Sequence, residues 1–321
     1  MKKLLVFITF LLAYQTVYCW GFYAHRQINY HAVFLLPPQM IVFYKKHIEY
    51  LSEHAVAPDM RRYAIADEGP RHFIDIDHYG TYPYENLPRY WNDAVEKFSE
   101  DSLIKHGIVP WWLQIMQRRL TEAFKEKNTN RILKLSAELG HYMADAHVPL
   151  HATSNYNGQQ TNQHGIHGFW ESRAPELLAE KEWDFFIGKA TYITKPGDFI
   201  WERVLESAAA ADSVLLYEKI LSDNFPTDQK FSFENRNGKT IRQYSTAFTK
   251  AYDKMLNGMI ERRMRQSIYA IASFWYTAWV DAGQPDLSKL TNLKLSEEEI
   301  NEIENLKQLW QKNIIKGREH E

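Results

Sequence analysis

Cysteine is almost absent from this 321-residue sequence, which contains only Cys19. A single cysteine cannot form an intrachain disulfide, so stability has to come from a packed core and from bound metal ions. No apolar run approaches the ~20 residues that cross a bilayer as a helix, and we expect no transmembrane segment. The formal net charge is only −2, which excludes the strongly basic character of proteins that hold polyanions by charge alone.

Two kinds of catalytic motif are missing as well. The sequence has neither a nucleophilic serine or cysteine motif nor a glycine-rich phosphate-binding loop. Glycine is sparse, with 14 residues, and alternating strand patterns are rare, so helical periodicity dominates. We therefore predict an all-α fold, with one multi-helix domain over residues 20–283 and an amphipathic helical extension over 284–321.

The predicted helices leave two irregular segments between them. Apolar periodicity predicts helices over 24–36, 39–54, 110–127, 130–147, 199–222 and 241–282, the last with a break at Asn257 and Gly258. A capping-box pattern at Ser296 and Glu299 begins a further helix over 296–316, which we expect to dock on the body, with partner binding as the alternative. Irregular segments are expected over 67–92 and 153–165.

The first 19 residues predict a secretory signal sequence. Two lysines precede an apolar run over 4–12, and a more polar stretch ends at Cys19. A lipoprotein signal is the alternative, disfavoured by the bulky Tyr18 before the cysteine. We expect an exported protein, periplasmic or secreted, whose mature chain begins at Trp20.

Five histidines and two carboxylates crowd into residues 141–171. Two pairs there have helical i, i+4 spacing, so each pair projects from one face; they are His141 with Asp145, and His167 with Glu171. Pro149 cannot continue the first helix, which leaves His151 just beyond its end. Imidazole and carboxylate are the ligands that zinc prefers when no thiolate is available. The alternative, unrelated surface or core histidines, is disfavoured because the pairs lie so close together.

Further candidate ligands lie upstream, at His25, Asp59 and His72. With them, the ligands come from four separate segments. That arrangement is usual for a catalytic site inside a helical bundle and unusual for a structural zinc knot.

On these residues the chain resembles the superfamily of zinc-dependent phospholipases C and fungal and plant single-strand nucleases, over residues 20–177. The resemblance implies an all-helical fold with three zinc ions in a cleft. It implies that one zinc is held by Asp59, His72, His141 and Asp145, a second by His151, His167 and Glu171, and a third by the amino group and carbonyl of Trp20, His25 and the other oxygen of Asp145. The family pattern also favours His151 over His147, and His167 over His164.

The resemblance assigns roles to further residues. Arg62, three residues after Asp59, corresponds to a basic residue that contacts the scissile phosphate; the alternative is a solvated surface arginine. Phe73 and Asp75 stand at the positions of a base-stacking aromatic and a base-binding carboxylate. Phe73 could equally be a core residue, and Asp75 could instead orient His72.

The implied chemistry is hydrolysis of phosphate esters by a metal-activated hydroxide. A bridging Asp145 would hold two zinc ions a few Å apart, and a water between two such cations ionises near neutral pH. In the resulting set of catalytic residues, Asp59 and Asp145 hold metal and Arg62 contacts phosphate.

The substrate prediction rests on a few residues. Three features favour a single-strand nuclease or 3′-nucleotidase, acting on nucleic acid or nucleotide: the spacing Trp20-x4-His25, the basic residue at position 62, and Trp170 beside the last ligand. Pro58 and the glutamate at 171 favour a phospholipase C, acting on phospholipid. A phospholipase should also expose an apolar, membrane-facing surface. Four aromatic residues could form either such a surface or a base-stacking groove: Tyr79, Tyr82, Tyr84 and Trp91. The nuclease is the prediction, the phospholipase the alternative, and a non-catalytic zinc-scaffolded binding module the second alternative. We expect a monomer.

Overall fold

Helices make up nearly all of the regular structure. A computed structural model describes residues 21–236, 238–290, 293 and 295–312 of the chain. Its α-helices are α1 (Phe22–Ala32), α2 (Pro38–Lys46), α3 (Ile48–Glu53), α4 (Ala57–Arg61), α5 (Trp91–Phe98), α6 (Glu100–Lys105), α7 (Val109–Lys125), α8 (Thr129–Asp145), α9 (Ile166–Gly168), α10 (Ala174–Glu182), α11 (Pro196–Asn224), α12 (Thr246–Met255), α13 (Met259–Asp281) and α14 (Glu297–Gln311). The strands are β1 (Phe231–Arg236) and β2 (Lys239–Tyr244), which pair as an antiparallel hairpin. The all-α prediction is confirmed.

The long helices lie where apolar periodicity predicts them. The predicted helices over 110–127 and 130–147 correspond to α7 and α8. The predicted 39–54 helix is wrong as a single element, because His47 leaves helical geometry (φ −113°, ψ 20°) and separates α2 from α3. Periodicity does not predict α5 and α6, which are only 8 and 6 residues long.

The hairpin corrects the predicted helix over 241–282. Residues 241–244 belong to β2, where Phe231 pairs with Tyr244 across the hairpin. The missed signal is the Asn237-Gly238 dipeptide, which favours a two-residue hairpin turn, and Gly238 has the positive φ of 77° that such a turn requires. The predicted break at Asn257 and Gly258 is confirmed, since both have positive φ between α12 and α13.

The core is organised around α8. Its last ten residues, 136–145, are all buried, and α1, α7 and α13 pack around it. Trp275 on α13 reinforces this packing because its Nε1 donates to the carbonyl of Ser136, at 3.0 Å. The helix that carries His141 and Asp145 therefore lies at the centre of the protein.

The approach of α1 to α8 depends on Gly140. A Cβ built on Gly140 would lie 2.0 Å from Oδ1 of Asn29 on α1. Asn29 fills this space and links the helices, because its amide donates to the carbonyls of Leu51 at 3.1 Å and Ala137 at 3.0 Å. The absence of a side chain at Gly140 thus sets the distance between the two helices, and α1 carries His25.

The predicted C-terminal helix is present as α14. Ser296 and Glu299 form the predicted capping box, with Oγ of Ser296 accepting from the Glu299 amide at 3.1 Å and Oε2 of Glu299 accepting from the Ser296 amide at 2.8 Å. The helix docks on α4, where Leu306 packs against Val56 and Met60. The predicted stretch 313–316 lies outside the described residues, and the domain boundary at 283 stays a prediction.

In the parts of the chain that the structure describes, none of the helices combines the length and apolar character needed to span a bilayer. The predicted signal sequence over 1–19 lies outside these parts, so the export prediction is untested.

Candidate metal centre

The predicted ligands that the structure describes converge in three sets of buried side chains. The sets are His25, His141 and Asp145; Asp59, His72 and His141; and His151, His167 and Glu171. Within each set, one ligand atom from every residue lies within 4.8 Å of the others. The first two sets share His141, and the third adjoins them because Nδ1 of His151 donates to the carbonyl of His72 at 2.6 Å.

The first two sets meet around the carboxylate of Asp145. Its Oδ1 lies 3.4 Å from Nε2 of His25. Its Oδ2 lies 3.0 Å from Nδ1 of His72 and 3.3 Å from Nε2 of His141. The two oxygens of one carboxylate thus face different imidazoles, which is the arrangement that a bridging ligand needs.

Asp59 closes the second set from the opposite side. Its Oδ1 lies 3.6 Å from Nε2 of His141 and 3.8 Å from Nδ1 of His72. Its Oδ2 is buried and has no hydrogen-bond partner among the described residues. A buried carboxylate oxygen without a donor is costly, and a cation would satisfy it.

The third set is a compact triangle. Nε2 of His151 lies 3.2 Å from Nε2 of His167, and each of these nitrogens lies 3.2 Å from Oε2 of Glu171. Two ligands held about 2.0–2.1 Å from a tetrahedral zinc stand roughly 3.3 Å apart. The triangle therefore has the dimensions of a zinc site.

Backbone carbonyls fix which ring nitrogen carries the proton in several of the ligand histidines. Nδ1 faces a carbonyl oxygen in three of them: His141 faces Ala55 at 2.8 Å, His151 faces His72 at 2.6 Å, and His167 faces Tyr156 at 3.1 Å. A carbonyl only accepts, so Nδ1 must donate and the neutral ring keeps its lone pair on Nε2. In the third set two such lone pairs converge with a carboxylate, and a divalent cation is what this group of acceptors fits.

The electrostatics keep the carboxylates available as ligands. Burial raises the pKa of Glu171, but the neighbouring His167 and His151 outweigh it and lower the pKa to about 2. Burial also lowers the pKa of His141, whereas Asp145 and Asp59 raise it to about 9. Asp145 and Asp59 thus place negative charge around His141, and Glu171 stays ionised beside His151 and His167, so carboxylates are available to a cation on both sides of the centre.

The ligands of the third set come from irregular backbone. His151 lies in the 3₁₀ turn Pro149–Ala152 that follows α8, as Pro149 predicts. Glu171 lies in the π-helical turn Phe169–Arg173, directly after α9 with His167. Wide π turns are rare and occur frequently at functional sites, and here the turn directs Glu171 toward both histidines.

The three residues predicted to contact phosphate or base, Arg62, Phe73 and Asp75, are all buried, and their roles stay predictions. Arg62 is buried against Asp59, with Nη1 3.8 Å from Oδ1, so the solvated-surface alternative does not hold. Phe73 is only 2% exposed, which favours the core-packing alternative. Oδ2 of Asp75 lies 3.8 Å from Nδ1 of His106, and the backbone amide of Asp75 donates to the His106 carbonyl at 2.7 Å.

The remaining predicted ligand, Trp20, lies outside the described residues, so its role stays a prediction. The next residue is tied to the third set, since the amide of Gly21 donates to the carbonyl of Glu171 at 3.3 Å. A Cβ on Gly21 would lie 3.0 Å from Cβ of Ser172, so the glycine permits this close passage.

A buried carboxylate behind His72 escaped the sequence analysis. Oε1 of Glu68 lies 3.7 Å from Nε2 of His72, and the carboxylate also binds Arg61, Arg71 and the hydroxyl of Tyr142. A metal-bound histidine usually has such a partner on its other nitrogen. The i, i+4 spacing of Glu68 and His72 was the available signal, but nothing in the sequence indicates burial.

Two competing histidines stand apart from the three sets. His147 is buried, and its Nδ1 donates to the carbonyl of Met143 at 2.7 Å. Burial lowers the pKa of His147 well below its usual value, so it is a neutral core residue. His164 is exposed. The choices of His151 and His167 agree with the geometry.

A family model described as zinc dependent phospholipase C matches residues 24–223. That range contains His25 to Glu171, and hence all three ligand sets. No curated protein matches the chain.

Proposed function

Because the chain belongs to the zinc-dependent phospholipase C family and is a zinc-dependent hydrolase of ester bonds, we propose that it hydrolyses phospholipid by the phospholipase C reaction. In that reaction water adds its oxygen to phosphorus and the P–O bond to the glycerol oxygen breaks. The glycerol oxygen takes up a proton, so diacylglycerol and the phosphorylated head group are released.

The family match carries the proposal. The match covers every described ligand residue and supports the phospholipase alternative rather than the nuclease that the sequence analysis favours. The buried Phe73 supports the same choice, because a ring only 2% exposed has no face for a base to stack on.

In this proposal the three ligand sets and Arg62 supply the positive charge that acts on the phosphate ester. The three sets would hold the zinc ions, whose number remains a proposal, and bound zinc would supply the Lewis acidity that ionises water and stabilises charge on phosphoryl oxygens. Arg62 adds a fixed positive charge next to Asp59, and in this proposal it would pair with the anionic phosphate. Burial of all three sets excludes bulk water and strengthens these interactions.

A loop beside the centre has the character of a lipid-contacting rim. Tyr82 is 59% exposed and Tyr90 is 70% exposed. Their loop, residues 80–90, continues from the segment 72–79, which is held against the His151 turn by the Ile74 amide donating to the His151 carbonyl at 2.9 Å. Amphipathic aromatic side chains are suited to the interface between lipid head groups and acyl chains.

Three substrates assayed in parallel test the proposal. Zinc-loaded protein is mixed with phosphatidylcholine vesicles, single-stranded DNA and 3′-AMP, with a chelator-treated sample as the blank. We expect release of diacylglycerol and phosphocholine that the chelator abolishes. Cleavage of DNA or 3′-AMP with the lipid left intact would overturn the proposal in favour of a nuclease.

The aromatic rim has its own test with a matched control. Tyr82→Ala and Tyr90→Ala should slow hydrolysis of vesicles but leave a monomeric, short-chain phosphatidylcholine unaffected. Tyr192→Ala is the control, because Tyr192 is also exposed, at 46%, but lies against α13 with its hydroxyl 3.0 Å from Oδ1 of Asp281. Equal loss on both substrates would show that the tyrosines do not act at the lipid surface.

A further inference from the structure

The helix α14 lies beyond the part of the chain that the family model matches, yet it packs directly behind the metal centre. Leu306 is only 7% exposed and forms a small apolar cluster with Val56 and Met60. The ring centroid of Trp310 lies 5.1 Å from that of Phe22, at the start of α1. The helix α14 therefore contacts two segments that carry predicted ligands, α4 with Asp59 and α1 with His25.

The segment under α14 contributes twice to the ligand set of Asp59, His72 and His141. Asp59 itself lies next to Met60 on α4, which has only five residues. The carbonyl of Ala55, next to Val56, accepts from Nδ1 of His141 at 2.8 Å and so selects its tautomer. A helix this short has little stability of its own, so its position depends on what packs against it.

The same helix covers the ion pairs behind His72. A cavity of about 40 Å³ lies between α14 and the body, with Arg61 and Glu138 in its wall opposite Leu306. Nη1 of Arg61 lies 2.6 Å from Oε1 of Glu138, and the guanidinium also contacts Glu68, the carboxylate that faces His72. Through Arg61, the surface under α14 is therefore connected to the carboxylate that supports His72.

We propose that Leu306 and Trp310 are positioning residues, through which α14 holds residues 55–61 in place and so maintains metal binding by Asp59, His72 and His141. The set of His151, His167 and Glu171 is built on α9, the π turn and the 149–152 turn, and none of these belongs to the apolar cluster of Leu306 with Val56 and Met60. Loosening α14 therefore weakens metal binding at one side of the centre. The inference holds whatever the substrate is.

Zinc retention by the full chain tests this. Leu306→Ala and Trp310→Ala are loaded with zinc, and release into an excess of a colorimetric chelator is followed with time. Supporting residues of metal ligands typically contribute about 10–100-fold to metal affinity, so we expect part of the zinc to leave 10–100 times faster and the rest to leave at the unaltered rate. Asn305→Ala and Gln308→Ala, on the exposed face of the same helix, should retain zinc like the unaltered protein.

Two further variants separate positioning from general stability. Leu287→Ala removes a buried side chain, 3% exposed, that packs beside α2 rather than at the centre. Leu306→Met and Trp310→Phe keep the apolar contacts and should restore slow release, and they remain measurable where the alanine variants do not fold. Unchanged zinc release in Leu306→Ala, or the same two-rate release in Leu287→Ala, would overturn the proposal.

Discussion

Replacing Gly140 with alanine is expected to destabilise the protein, although alanine is the better helix former. A Cβ at this position would lie 2.0 Å from Oδ1 and 2.8 Å from Cγ of Asn29, so Asn29 has to move. Asn29 is buried and held by two hydrogen bonds, to the carbonyls of Leu51 and Ala137. The clash therefore cannot be relieved without disturbing both bonds or separating α1 from α8.

The expected size follows from these contacts. Each buried hydrogen bond that is lost leaves a polar group unsatisfied at a cost of about 1–3 kcal/mol, whereas the exchange of glycine for alanine within a helix favours alanine by about 1 kcal/mol. With two bonds affected, the free energy of unfolding should fall by roughly 1–5 kcal/mol. The metal centre should suffer too, because α1 carries His25, whose Nε2 lies 3.4 Å from Oδ1 of Asp145.

Denaturant unfolding of the zinc-free protein measures the first effect and zinc content the second. Gly197→Ala is the matched control, since Gly197 is also helical but its Cβ would meet only the side-chain amide of Gln114 at ordinary distances, 3.5 Å to Oε1 and 3.7 Å to Cδ. We expect that variant to be neutral or more stable. A second check is the double variant Asn29→Ala with Gly140→Ala, whose destabilisation should be less than the sum of the two single changes. A gain of about 1 kcal/mol in Gly140→Ala, as helix propensity alone predicts, would refute the reasoning.

Three other predictions follow from the same contacts. Asp145→Asn removes the carboxylate that faces three histidines and should reduce zinc content and abolish hydrolysis; full activity would contradict its bridging role. Glu68→Gln should lower zinc affinity by about 10–100-fold, measured by competition with a chelator, and unaltered affinity would show that Glu68 does not support His72. The pKa of Asp253 is raised from 3.8 to about 6, first by burial and then by Glu261 and Glu182. Between these two pH values the folded state holds a proton that the unfolded state releases, so the free energy of unfolding falls as the pH rises. Asp253→Asn should abolish that fall and, allowing for solvent screening, stabilise the protein at pH 7 by about 1 kcal/mol in denaturant unfolding; an unchanged pH dependence would count against it.

The local parts of the fold and the centre are predictable from the sequence. The i, i+4 pairs of His141 with Asp145 and His167 with Glu171 lie together because their spacing follows from helical geometry. Pro149 predicts the turn that carries His151. The capping box fixes the start of α14 at Ser296 because both of its hydrogen bonds are local. In each case the residues that decide the structure are neighbours in the chain.

Contacts between residues that lie far apart in the sequence were not predicted. Glu68 meets Tyr142 only after α8 has packed against the 66–72 turn, and no spacing rule connects positions so far apart. The burial of Phe73 has the same origin, since its carbonyl accepts from the Val109 amide at 3.2 Å and its ring lies against Gly107. These contacts matter most for the substrate question, because they determine whether an aromatic ring is accessible to a base.

The hairpin was missed for a different reason. The apolar residues of β2 continue those of α12 without a break and so resemble one helical pattern, and only the Asn237-Gly238 dipeptide signals the turn between β1 and β2. The π-helical turn at Phe169–Arg173 has no recognised sequence signal at all.

The three main-chain oxygens that select the histidine tautomers have a genetic consequence. Every amino acid carries a carbonyl, so no replacement of Ala55, His72 or Tyr156 can delete the acceptor itself. Random mutagenesis should therefore rarely hit imidazole orientation directly. Inactivating alleles of that kind should instead cluster at positions where a new side chain displaces the polypeptide, such as bulky or proline substitutions at Ala55, and small exchanges there should be silent.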